Sequence, residues 1–86
     1  SPPRLAGLTE WYEVEIAPRG RLDSAPHAPG AFEHLTALTD GLSVTSGGVT
    51  RPLALGETAR YKADIPHAID NLSDAPARAL MVLHYG

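Results

Sequence analysis

The chain contains no cysteine. No disulfide can support the fold, and no thiolate is available to ligate a metal or attack a substrate. Long apolar runs are missing as well. The longest, residues 79–83, falls far short of the roughly 20 residues a membrane-spanning helix needs. No secretory signal pattern is present, and these absences together set a cytoplasmic location as the expectation. Basic clusters are absent too: Lys and Arg number 7 against 10 Asp and Glu, for a net charge of −3. A protein that grips nucleic acid needs clustered cations facing phosphate, so this chain is not expected to touch DNA itself. Helical periodicity is missing throughout. Gly47-Gly48 has neither the spacing nor the following helix of a phosphate-binding loop, and no nucleophile elbow surrounds any serine.

What the sequence does have is punctuation. Eight prolines and eight glycines divide the 86 residues into short alternating runs, with turn signals about 8–12 residues apart, the spacing of an all-β sandwich or barrel. Residues 1–7 read as a linker or tail and 8–86 as one domain. A chain of this size buries only roughly 60–65% of its unfolded surface, so packing or oligomerisation must supply the stability. Strands are expected over residues 8–17, 31–39, 42–46 and 78–85, with a short extended piece over 21–25, a segment over 49–55 leading into Gly56, and two more strands inside residues 56–71. In the first, Tyr12, Val14 and Ile16 alternate with Trp11, Glu13 and Glu15; Trp11 and Tyr12 are expected in core and interface. Asp40-Gly41 between alternating runs is a hairpin signal, and Gly47-Gly48 marks a second tight turn. The last strand, apolar over residues 79–83, is expected to be central and covered on both faces. A lone small sandwich leaves strand edges open, so a homodimer joined through those edges is expected. The sequence does not begin with methionine and enters its first strand within about eight residues, so it is expected to be a fragment, with any companion domain outside it.

Residues 56–71, GETARYKADIPHAIDN, organise the rest. A glycine opens the stretch, and Ala59 and Tyr61 alternate with Thr58 and Arg60. The corner Ala63-Asp64-Ile65-Pro66 delivers His67, because proline fixes its own φ and pushes its predecessor into extended geometry. A histidine on so rigid a mount is either a ligand for a metal or small molecule, or a loop histidine beside a turn. The spacing of Gly56, His67 and Asn71 resembles the second motif of the cupin superfamily, G-x5-P-x-G-x2-H-x3-N, with Lys62 and Asp64 replacing the inner proline and glycine. Its form is most similar to the small cupin domains that follow the helix-turn-helix of XRE-type transcriptional regulators.

The resemblance implies a double-stranded β-helix, the cupin form of the jelly roll. It also implies a metal site built from a first motif, G-x5-H-x-H-x3,4-E-x6-G. Here His27 falls on the first histidine and Glu33 on the glutamate. Pro29 replaces the second histidine, Asp40 stands at the closing glycine, and Arg21 stands at the opening one. The ligands carried over are therefore His27, Glu33 and His67, one fewer than a full set. They could hold one divalent ion, Zn²⁺, Fe²⁺, Mn²⁺ or Ni²⁺. The alternative is a lapsed site whose polar groups bind an organic ligand or one another. Glu33, Leu35 and Ala37 share one strand face, assigned inward, so Leu35 and Ala37 would line the pocket along with Tyr61. His34 points the other way, and His84 is held in reserve as the missing ligand. Asp64, Asp70, Asp74 and Ser73 read as turn residues.

Three function classes follow from the resemblance. One is a small-molecule effector-sensing and dimerising domain of a regulator, reaching DNA only through an upstream helix-turn-helix. Another is a small metal-dependent enzyme of the dioxygenase, isomerase or decarboxylase type, with Tyr61 as an acid. The last is a plain dimerisation or storage cupin without ligand. The sensor is the reading adopted, because one ligand is lost and the charge is acidic.

Overall fold

The structure, a computed structural model, describes residues 8–85; the expected tail over 1–7 lies outside the described residues. Among them every regular element is a strand: β1 (Thr9–Ile16), β2 (Arg21–Ser24), β3 (Phe32–Ala37), β4 (Leu42–Ser46), β5 (Val49–Leu53), β6 (Thr58–Lys62), β7 (His67–Asn71) and β8 (Ala77–His84). They form two four-stranded sheets in the orders β1-β8-β3-β6 and β2-β7-β4-β5, and every pairing is antiparallel. The chain changes sheet at every connection except β4–β5. That alternation is the jelly roll, or double-stranded β-helix, that the resemblance implies, within the all-β sandwich or barrel expected from the turn spacing. No helix among the described residues is long and apolar enough to cross a membrane.

The core lies between the sheets, where the inward positions of both meet. Leu35, Ala37, Ala59, Ala79 and Met81 from the first sheet pack on Leu42, Val44, Leu53 and Ile69 from the second, with Ile16 and Ala77 closing one end. A smaller cluster of Ala31, Ala63 and Leu83, with Tyr85 against it, seals the other end. This second cluster secures the loop and the corner that carry His27 and His67.

Three sequence expectations are corrected. Asp40-Gly41 is no hairpin: β3 and β4 lie in different sheets. A type I′ turn needs positive φ at both central residues, and here only Gly41 has it, at 95°. Asp40 instead accepts a bond from the Leu55 amide with its carboxylate (3.1 Å), and the chain crosses between layers. The other glycine pair does make the hairpin. Gly47 (φ 58°) and Gly48 (φ 80°) join β4 to β5 with Ser46 opposite Val49. Strand β8 is interior to its sheet, as expected, but covered on one face only. Ala77, Ala79, Met81 and Leu83 are buried, while Leu80, Val82 and His84 are half-buried and Arg78 is exposed. Apolar residues on both faces of β8 mimicked a doubly covered strand. Finally, Trp11 is 72% exposed, because it stands opposite Val82 on the outer face of the first sheet, and Tyr12, opposite Met81 on the edge strand β1, is exposed as well.

Candidate metal centre

Strand alternation aims Glu33 into the sandwich at the end of β3, where it is 1% exposed. Its neighbour across the ladder is Tyr61 on β6, whose hydroxyl donates to Glu33 Oε1 at 2.6 Å. His67 arrives from the facing sheet as the first residue of β7, directly after Pro66. His27 comes from the loop between β2 and β3. That loop is pinned to the 63–66 corner: His27 N donates to Ala63 O (2.7 Å) and Ala63 N to Ala31 O (3.0 Å). Gly30 N donates to Asp64 Oδ2 (2.9 Å). The corner therefore positions both histidines at once. Asp64, read from sequence as a plain turn residue, ties the two segments together.

The three side chains meet. Glu33 Oε2 lies 3.2 Å from His27 Nε2 and 3.2 Å from His67 Nε2, and the ligand atoms of all three fall within 4.8 Å of one another. His67 Nδ1 is 2.8 Å from the Ile65 carbonyl. A carbonyl only accepts, so Nδ1 carries the proton. The second nitrogen, Nε2, then points at a buried carboxylate oxygen with either a lone pair or a second proton. A lone pair there needs a cation between the two acceptors. Two ligands each about 2.0–2.2 Å from a metal at near-tetrahedral or right angles stand roughly 2.8–3.6 Å apart, and the His–Glu separations fall within that span. An N–H bonded to a backbone carbonyl is also the usual way a ligating imidazole is oriented. Two imidazoles and one carboxylate suit Zn²⁺, Fe²⁺, Mn²⁺ or Ni²⁺ and leave coordination positions open. The donor set thus fits a divalent ion, and His27, partly open to solvent, is its most accessible member.

Tyr61 is an anchor in this geometry. Burial first, and its bond to the Glu33 carboxylate second, push the phenol well above the usual tyrosine range, so it keeps its proton and holds Glu33 Oε1 while Oε2 faces the histidines. That role depends on ladder register, which the sequence does not display. Leu35 and Ala37 continue the inward face of β3 into the packed core. His84 stands apart from the group, on the outer face of β8. Its ring lies 4.8 Å from that of Phe32, and its Nδ1 is 2.9 Å from Thr9 Oγ1. His34 also faces outward, edge-on to Phe32. Pro29 is in the pinned loop where a second first-motif histidine would stand.

Asn71, the last residue of the second motif, performs a different task. Its buried amide nitrogen donates toward the carbonyls of Ile16 (3.1 Å), Ala17 (3.1 Å) and Ala75 (2.7 Å). Its oxygen accepts from Ser73 N and Ser73 Oγ. Asn71 lashes the β1–β2 turn to the β7–β8 turn, at the opposite end of β7 from His67.

No family model and no curated protein matches the chain. Solved structures do. The cupin_2 domain of an XRE family transcriptional regulator from Enterobacter cloacae is 28% identical, with a TM-score of 0.85 over 91% of this chain and 82% of that one. An HTH_3 family transcriptional regulator from Vibrio cholerae is 24% identical with a TM-score of 0.85; the alignment covers 91% of this chain but 43% of that protein. A sugar phosphate isomerase of the cupin superfamily from Silicibacter pomeroyi is 22% identical with a TM-score of 0.71, over 91% and 51% of the two chains. Eight antiparallel strands in two sheets, a clustered His–Glu–His group and these likenesses agree, and the chain has the fold of the cupin superfamily.

Proposed function

We propose that this chain is the effector-sensing and pairing domain of an XRE-type transcriptional regulator in the cytoplasm, with a divalent ion or a small ligand held inside the barrel. The observation that carries the reading is the likeness, in sequence as well as fold, to the cupin domain of such a regulator across 91% of this chain. The ligand set supports it, since Pro29 replaces one donor and Tyr61 is committed to Glu33. DNA would be contacted by a helix-turn-helix ahead of Ser1 and not by this domain. Two copies pair, and a ligand that binds one arrangement of the pair better than the other shifts the spacing of the attached DNA-binding units; without such a difference in affinity it shifts nothing.

The second reading, a metal-dependent enzyme, is favoured by the three donors and the open positions they leave. A metal there would act as a Lewis acid or oxygen-activating centre. The two readings separate in one experiment. The purified domain is loaded in turn with Fe²⁺, Mn²⁺, Ni²⁺ and Zn²⁺, and metal retention and turnover of small cupin substrates are measured together. The expected result is retained metal and no turnover. Metal-dependent turnover that His67→Ala abolishes would instead establish the enzyme.

A further inference from the structure

The cations of this chain divide into two groups. Setting aside Arg4, which is outside the described residues, Arg19, Arg21 and Arg78 each pair with carboxylates: Asp74, Asp23 with Asp70, and Glu13. Arg51, Arg60 and Lys62 have no carboxylate partner among the described residues. All three line a single cleft of about 310 Å³.

The cleft runs along the flank of the sandwich where edge strands β5 and β6 face each other without pairing. Its floor and walls are apolar, built from Val44, Val49, Ala59, Ile65 and the ring of Tyr61, and no carboxylate lines it. Val49 is 65% exposed there, so apolar surface is left bare beside unpaired positive charge. Alternation along β5 puts Arg51 on the same side as Val49 and the buried Leu53, facing the cleft. Across the gap Arg60 is fixed at the outer rim, its guanidinium 4.3 Å from the centre of the Phe32 ring. In a protein of net charge −3, the cations without a carboxylate partner among the described residues thus gather around one apolar slot. In a small concave site the polar groups fix orientation while the apolar walls supply contact area, and this volume is at the low end for such sites.

We propose that the cleft binds a small organic monoanion: a carboxylic acid whose body is a single ring or short chain, seated on Val44, Val49 and Ile65 with its carboxylate toward Arg51. Calling that acid the effector rests on the sensing function proposed above; the binding itself does not. Tyr61 forms the inner wall and donates to Glu33, so a ligand pressing on its ring is one side chain from the metal group.

The test is a nitrogen-15 amide titration of the purified chain with 4-phenylbutyrate, the neutral 4-phenylbutanol and inorganic phosphate. It is run on chelator-treated and on Zn²⁺-loaded protein. Saturable shifts are expected with the acid at Val49, Arg51 and Ala59, at least tenfold tighter than with the alcohol or phosphate. Arg51→Gln, an exposed edge-strand substitution, should abolish the preference for the acid while leaving the rest of the spectrum in place. Equal binding of alcohol or phosphate overturns the proposal, as do shifts elsewhere, an unaffected Arg51→Gln variant, or no saturable binding of the acid at millimolar concentration. Failure here with Zn²⁺ retained removes the cleft and leaves the metal-centre reading standing. Acid binding without metal retention does the reverse.

Discussion

At the scale of single residues, the second motif divides its labour. His67 belongs to the candidate metal centre, while Asn71 belongs to the framework. Five hydrogen-bond contacts converge on the Asn71 amide, and losing them would leave buried carbonyls without donors. Asn71→Ala should therefore destabilise the domain by about 2–3 kcal/mol, a fall in melting temperature of roughly 10–20 °C. Asn71→Asp, which turns a donor into a negative oxygen facing three carbonyls, should be worse. A melting curve within a few degrees of wild type for either variant would contradict this role. Tyr61 is the opposite case, a residue whose spacing says little and whose contact says much. Removing its hydroxyl frees Glu33 Oε1 and loosens the carboxylate. Calorimetric titration of Tyr61→Phe with Zn²⁺ or Ni²⁺ should show affinity reduced by about 10–100-fold, as for other groups that orient a metal ligand. Unchanged affinity would mean that the Tyr61–Glu33 bond has no bearing on the site.

At the scale of elements, two glycine turns with similar sequence signals have different outcomes. Gly47-Gly48 supplies positive φ at both positions and closes the β4–β5 hairpin. At Asp40-Gly41 only the glycine does, and it is needed for proximity as well as conformation: a Cβ on Gly41 would stand 2.8 Å from the Ser73 Cβ. The hairpin turn gives a clean test of the backbone effect, because a Cβ on Gly48 meets nothing within 4 Å. Gly48→Ala should cost about 1–2 kcal/mol through left-handed φ alone, and Gly48→Asn should recover most of it, both read from urea midpoints. An alanine variant as stable as the parent would show that the turn relaxes to another type. Strand β8 teaches a related lesson. Its apolar run hid an alternation that becomes plain once the core has chosen Ala77, Ala79, Met81 and Leu83.

At the scale of the whole molecule, the two sheets share one core but leave four edge strands, β1, β2, β5 and β6. If two copies pair, β1 is the edge with most to gain, since Trp11 is 72% exposed there. Sedimentation at micromolar concentration should give a dimer. The emission of this single tryptophan should move to shorter wavelength as the dimer forms, since burial removes it from water. A monomer under those conditions, or an emission maximum independent of concentration, would rule out pairing through β1.

The sequence by itself determined the class of fold and the identity of the clustered side chains. Turn chemistry is local, and so are strand alternation and the rigid Ile65-Pro66-His67 mount; local facts can be read along a chain. His27, Glu33 and His67 were legible because motif spacing survives even where Pro29 and Lys62 depart from the pattern. Tertiary structure alone decided which runs pair and which cross between sheets, and hence that Asp40-Gly41 is no hairpin and that Trp11 lies outside. It also fixed the register that sets Tyr61 against Glu33, and the meeting of Arg51, Arg60 and Lys62 on one cleft. These depend on contacts between residues distant in sequence, selected by how the sheets bury their inward faces together, and no stretch of chain carries that information alone.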